Sequence, residues 1–297
     1  MFESIDALAE KLAAERYVCD RATCTSVYLA LRTNRPVLLE GEPGVGKATL
    51  GQSLARALGS RLIVLTCHEG IDEQEAVSEW NVARQLLRIQ LAGANREPFE
   101  RVEHEVAGRD YLIERPLLAA LAAGDAEPPV LLVDGVDRAE RRFDAFLAGV
   151  LSTFSVTIPG HGVVTAKRPP RVVVTSDSSR ALDNHLKSAC VYQWIDHPKF
   201  EHELQILVAR VPGISPKLAG QVCNFVDRLR EAGFVRPPGI AETLAWGQAL
   251  SVLHRTELTP EIVDQTLGCL LKDRGDIARF RGQPLDRMLG RAVDRVA

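Results

Sequence analysis

Runs of apolar residues between glycine- and proline-rich breaks set the reading of this chain. Pro36-Val37-Leu38-Leu39-Glu40, Arg61 to Thr66, Pro129-Val130-Leu131-Leu132-Val133-Asp134, Arg171 to Ser176 and Val191-Tyr192-Gln193-Trp194-Ile195 are short, and most of them are apolar on both faces. That pattern predicts buried strands rather than the alternation of a half-solvated sheet. Helical spacing appears from Ile5 to Glu15, Ala22 to Arg32, Ala48 to Leu58, near Val82 to Leu91, from Leu117 to Ala123 and from Phe143 to Thr153. Gly59 and Gly124 stand where two of these helices should stop. Phe154 to Ala166, broken by Pro159-Gly160-His161-Gly162, predicts a hairpin, and the polar segment from Cys67 to Glu114 is expected to be less regular. Strand patterns end near Pro198, and four or five helical patterns follow, punctuated by Pro212-Gly213, Pro237-Pro238-Gly239 and Thr259-Pro260. The expected architecture is an α/β core over residues 1–198, with a five-stranded parallel sheet in an αβα sandwich, and an all-helical domain over residues 199–297.

Composition narrows the function. The chain has 297 residues, a net charge of −3 and charged residues at 25%, so it has no broad basic field to draw nucleic acid. No apolar run reaches the length of a membrane span, and the start Met1-Phe2-Glu3-Ser4-Ile5-Asp6 lacks signal-peptide character. Six scattered cysteines without a Cys-x-x-Cys pair read as free thiols in a cytoplasmic protein. The histidines have no metal-ligand spacing. His68, His104, His161 and His254 read as loop or surface residues, and the run from Arg274 to Arg295 reads as an amphipathic helix with a solvated face.

Gly41-Glu42-Pro43-Gly44-Val45-Gly46-Lys47 lies between a predicted strand and a predicted helix, which is the context of a P-loop. The glycines let backbone N–H groups close around phosphate oxygens, the helix start adds its positive dipole end, and Lys47 should reach the outer phosphates. A P-loop lysine is ordinarily followed by Ser or Thr, whose hydroxyl binds magnesium. Here Ala48 follows, and Thr49 is turned by about 100° around the helix. Weakened magnesium binding is expected, with water filling the missing position. The strand ending at Asp134 has the pattern of a Walker B strand, whose carboxylate holds magnesium. Asp137 is expected to project from the next turn and cap the following helix.

These stretches, together with Cys67-His68-Glu69-Gly70-Ile71-Asp72, Glu79-Trp80-Asn81, Leu112-Ile113-Glu114-Arg115-Pro116-Leu117-Leu118, Val156-Thr157-Ile158-Pro159 and Pro237-Pro238-Gly239-Ile240-Ala241-Glu242-Thr243-Leu244, resemble the MoxR family of AAA+ ATPases, close to its CoxD-type branch. The resemblance covers roughly residues 20 to 250. It implies a P-loop AAA+ core with a helical lid, ATP or ADP and Mg2+ as cofactors, and a ring, usually hexameric, of like or paralogous subunits. It further implies a partner with a von Willebrand factor A domain and a chaperone role in metalloenzyme maturation, for the CoxD-type branch that of carbon monoxide dehydrogenase. Arg236, before the Pro-Pro-Gly turn, is a candidate lid contact to phosphate, and His161 a weak candidate for touching a client.

The departures from the family pattern are the sharper signal. The residue after Asp134 is Gly135 where hydrolysing members carry Glu, so a general base worth about 10²–10⁴ in rate is missing. Asp177 replaces the sensor 1 Asn, where it should repel phosphate or stand in as a base. Ser188-Ala189 replace two arginines, and Lys187 beside them reads as a surface lysine. The expectation is a chaperone subunit that binds nucleotide with weak or absent hydrolysis. The alternative is an active motor using replacement residues. A clamp loader or nucleic-acid motor fits neither the subfamily stretches nor the charge. The loop reads phosphates and leaves the base unspecified.

Overall fold

A computed structural model describes residues 2–123 and 127–282. Five strands form the central sheet: β1 (Val37–Gly41), β2 (Leu62–Thr66), β3 (Val130–Asp134), β4 (Arg171–Ser176) and β5 (Val191–Ile195). The sheet is parallel with the order β2-β3-β4-β1-β5, so the chain crosses over twice rather than laying neighbours down in sequence. Val130, Leu131, Leu132 and Val133 of β3 are each at most 1% exposed, which accounts for the unbroken apolar run. Full burial of such side chains contributes about 1.5–3 kcal/mol each. The register pairs Leu39 with Thr175 and Glu40 with Ser176 across β1 and β4, and Val133 with Val174 across β3 and β4. The ends of β1, β4 and β3 therefore lie side by side at one edge of the sheet.

The chain divides into two compact units that interleave in sequence. Of the described residues, the first takes those in Thr25–Glu40 and Leu54–Gln193, and the second takes Phe2–Cys24, Gly41–Ser53 and those from Trp194 to Gly282. The core of the first unit joins sheet residues such as Leu38, Leu131 and Val174 to Leu117, Phe143 and Leu147 of the covering helices. The core of the second is built on Val222, Phe225, Trp246 and Phe280, with the Phe225 and Trp246 rings 5.4 Å apart. Among the described residues it holds the helices Phe200–Arg210, Pro216–Glu231, Ile240–Val252, Pro260–Thr266 and Arg274–Arg281.

The hairpin forms as expected, from Ser155–Ile158 and Gly162–Thr165. The segment from Cys67 to Glu114 is more regular than its polarity implies. It contains the helices Glu73–Val77, Val82–Ala94 and Phe99–Val106 and an antiparallel pair, Ser78–Trp80 with Leu112–Glu114. Phe99–Val106 buries only Val102, and its apolar residues Phe99, Val102 and Val106 do stand at helical spacing. The helix Asn184–Ala189 escapes a periodicity search, because its six residues bury only Leu186. Over Arg274–Arg281 the solvated face forms, with Arg274, Arg279 and Arg281 exposed, while Asp276 is buried and accepts from the N–H groups of Val235 and Arg236. Gly124 and the part of that run after Gly282 lie outside the described residues. No helix among the described residues is long and apolar enough to cross a membrane.

Candidate functional site

The glycine-rich loop leaves the sheet at the end of β1. Gly44 and Gly46 take φ of +80° and +95° on either side of buried Val45, a backbone that side chains other than glycine rarely adopt. Such a turn gathers successive N–H groups into a concave anion site. The helix Lys47–Leu58 starts directly behind it, and the first turn of a helix leaves N–H groups without intrahelical acceptors. Lys47 is only 5% exposed, and its Nζ donates to the carbonyls of Gly41 and Glu42, each at 2.7 Å. The ammonium thus closes the loop from within. The ring of Tyr17 flanks it, 3.8 Å from where a Cβ on Gly46 would lie, a neighbour the sequence does not announce. Ala48 and Thr49 are half-buried, and Ala48 brings no oxygen. These residues fit a polyphosphate, which needs dense N–H donors and one cation.

At the sheet edge, Thr175 ties two motifs together. Its hydroxyl donates to Asp134 Oδ1 at 2.7 Å and accepts from the Gly135 N–H at 2.9 Å. Asp134 is half-buried at the end of β3, and a carboxylate so held fits a magnesium ligand or the acceptor of a magnesium-bound water. Gly135 sits at φ +70°, ψ 49°, left-handed, and a Cβ there would lie 3.0 Å from Arg138 Nε. Arg138 donates to Asp177 Oδ2 at 3.0 Å, so Asp177 is paired with a cation.

Two sequence expectations are overturned here. Asp137 does not project from its turn or cap the helix Arg141–Thr153. It is 4% exposed and accepts from the N–H groups of Asp177 and Ser179 and the Ser179 hydroxyl. Burial pushes its carboxyl up, but those hydrogen bonds outweigh it and hold the group below its ordinary value. Nearby, Arg180 grips fully buried Asp144 through two 2.7 Å bonds, fastening the loop after β4 to the segment after β3. Lys187 is not a plain surface lysine either. Its Nζ meets Glu40 Oε2 at 3.1 Å and lies over the Tyr192 ring, 5.5 Å from its centroid.

Glu40 is the ionisable residue that the strand pattern conceals. It is 4% exposed at the end of β1, and it accepts from Lys187, Tyr192 and the Ser176 hydroxyl. Burial raises its carboxyl, and hydrogen bonds from Ser178, Lys187 and Tyr192 more than reverse that. Ser188 is exposed and Ala189 half-buried in the last turn of the helix Asn184–Ala189, and neither carries a cationic side chain. Arg35 binds the Ser188 carbonyl at 2.6 Å. Arg236 has an exposed side chain and gives its backbone N–H to Asp276. His161 is exposed at the hairpin turn, and His68 is exposed and bonded to Glu75 at 3.0 Å.

A Lon protease of Halothermothrix orenii is 32% identical over 120 residues, covering 39% of this chain and 12% of that protein. The chain thus spans about an eighth of that relative's length. Among solved structures, the Thermotoga maritima RuvB Holliday junction branch migration motor has a TM-score of 0.48 at 17% identity, covering 93% of this chain and 74% of that one. Its P216G mutant gives 0.49 at 18% identity, covering 97% and 83%. Residues 36–191, just over half of the chain, match the family described as AAA domain (dynein-related subfamily). That span runs from the residue before β1 to the first residue of β5, and the chain belongs to this AAA family.

Proposed function

We propose that this chain is a nucleotide-binding AAA+ subunit with weak or absent ATP hydrolysis of its own. The observation that carries the reading is a contrast. The phosphate loop is whole, with Lys47 closing it, while the position after Asp134 is a left-handed glycine that has no proton acceptor. In this reading Gly41, Glu42, Pro43, Gly44, Val45, Gly46, Lys47, Ala48 and Thr49 line the phosphates of ATP or ADP, and Asp134 holds magnesium weakly because Ala48 lacks a hydroxyl. Gly135, Asp177, Ser188 and Ala189 mark lost catalytic groups, and Arg236 reaches toward the nucleotide from the lid. Bound magnesium would neutralise phosphate charge. The chain's own residues would grip and orient the phosphates without activating water.

The resemblance to MoxR and CoxD-type proteins supports a finer reading. The αβα core over 1–198 and the helical lid over 199–297 would join a ring of like or paralogous subunits, with a von Willebrand factor A partner and a metalloenzyme client. An active paralogue in a mixed ring would supply the missing groups. The Arg138 pairing of Asp177 speaks against that acid as a replacement base, because the guanidinium already engages one of its oxygens.

The test is ATP binding and phosphate release by purified protein with magnesium, alone and mixed with a catalytically complete paralogue. Turnover by the unmixed protein at about 1 s⁻¹ or above, within the range of ordinary enzymes, would sink the claim of lost hydrolysis. Failure to bind ATP or ADP, with or without magnesium, would sink the nucleotide-binding reading altogether.

A further inference from the structure

Within the second unit, the start of the helix Ile240–Val252 lies directly against the phosphate loop. The Ala241 N–H donates to the Gly44 carbonyl at 3.3 Å. Gly239 approaches so closely that a Cβ there would sit 2.9 Å from the Pro43 carbonyl oxygen and 3.3 Å from Gly44 Cα. Backbone therefore packs on backbone, and the position of Gly239 limits where Pro43 and Gly44 can be.

The Gly239 N–H donates to Glu242 Oε2 at 3.0 Å, and the turn around it is tied through Pro238 and Thr243 to a buried ion pair. Arg230, on the helix Pro216–Glu231, forms a fork with Glu203, on the helix Phe200–Arg210, through bonds of 2.6 and 2.8 Å. Its Nε donates to the Pro238 carbonyl at 2.8 Å. Glu203 also accepts from the Thr243 hydroxyl at 2.7 Å, and that hydroxyl lies 3.1 Å from the Gly239 carbonyl. The side chains of Glu203 and Arg230 are 2% and 10% exposed. Burying two charges is costly, and an apolar pair of the same volume often does as well for stability alone. The pair does something an apolar pair cannot. The four bonds of Glu203 and Arg230 tie the backbone of a Pro-Pro-Gly turn to two helices at once.

We propose that Glu203 and Arg230 are positioning residues for the phosphate loop, acting through the Pro238–Gly239 turn and the Ala241–Gly44 hydrogen bond. The helices of the second unit thereby set the geometry of Gly41–Lys47, and a nucleotide on that loop is felt at Glu203 and Arg230. The part concerning nucleotide rests on the function proposed above. The part concerning the loop does not.

The experiment has two readouts on the full chain: amide hydrogen exchange over residues 41–50 without nucleotide, and the Kd for a fluorescent N-methylanthraniloyl-ADP. The variants are Glu203→Gln, Arg230→Lys, Thr243→Val and Gly239→Ala. The last adds one methyl and leaves the ion pair intact, so it serves if a charge variant fails to fold. Val263→Ala, a fully buried position of the same core, is the control for general destabilisation. The expected result is loop exchange faster by about tenfold or more in Arg230→Lys and Gly239→Ala, the scale of one hydrogen bond to a charged group. ADP binding should weaken in parallel, with neither change in Val263→Ala at a matched loss of Tm. Loop exchange like wild type in Gly239→Ala and the charge variants, or an effect that tracks Tm across all variants including Val263→Ala, overturns the proposal. Wild type that fails to bind the probe, with loop exchange still altered in the variants, overturns the nucleotide reading and leaves the positioning role standing.

Discussion

Arg138 Nη2 donates to Asp177 Oδ2 at 3.0 Å, across the ends of β3 and β4. Read from the sequence alone, Asp177 is an unbalanced negative charge facing phosphate. The pairing changes its chemistry. A guanidinium balances the acid, and the hydrogen bond to Asp177 raises the Arg138 pKa further, so the cation persists at any working pH. The pair is partly solvated, with side chains 52% and 24% exposed, so its contribution is electrostatic placement more than stability.

Asp177→Asn should therefore cost little stability, about 0.2–1 kcal/mol, because pairs at this exposure are screened by water. It should tighten ATP relative to ADP by removing a charge near the terminal phosphate. Calorimetric binding of both nucleotides with magnesium checks this. If Asp177 were a working base, the substitution would instead abolish whatever phosphate release the wild type shows.

Gly135→Glu should not restore an ATPase. The backbone there is left-handed, which costs a side-chain-bearing residue about 1–2 kcal/mol. The new Cβ would also press on the Arg138 side chain at 3.0 Å. A lower Tm with no gain in phosphate release is expected. The double variant Gly135→Glu with Arg138→Ala should recover part of the Tm, which thermal unfolding of the set would show.

Lys47→Ala should weaken ATP and ADP binding by roughly 10- to 100-fold, since hydrogen bonds to charged groups contribute about 1.5–3 kcal/mol. It also strips the Gly41 and Glu42 carbonyls of their donor. Fluorescence titration reads the affinity, and unchanged binding would remove Gly41–Lys47 as the phosphate site.

Acid should destabilise the first unit through Glu40 and Asp137. Both carboxyls are held below their ordinary values of 4.5 and 3.8 in the fold. For a depressed carboxyl the stabilisation is fully present above the unfolded-state value and is lost as pH falls through the folded one. Wild-type stability should thus drop as pH is lowered past 4.5. Glu40→Gln and Asp137→Asn should be less stable at pH 7 and show a shallower drop. Urea unfolding at a series of pH values measures both slopes.

The features legible in the sequence are those encoded by neighbours along the chain. The run from Gly41 to Lys47 is marked by its own glycines and by the start of the helix behind it, so contiguous residues suffice to identify it. Buried strands such as β3 announce themselves as unbroken apolar runs, and helices that bury a broad face announce themselves by period. Asn184–Ala189 buries one residue and leaves no such trace, whereas the period of Phe99, Val102 and Val106 is present but short.

The sequence by itself determined the phosphate loop, the strands of the sheet and the absence of a carboxylate at Gly135, because each is a property of local order or of residue identity. Tertiary structure decided what the charges do. Glu40 meets Lys187, Asp137 meets the loop from Asp177 to Ser179, and Arg230 meets Glu203, across sequence separations that no periodicity spans. A buried charge is tolerable only with a partner, and which partner it finds depends on the order in which strands and helices pack. That order places β4 between β3 and β1, and so brings Asp177 within reach of Arg138.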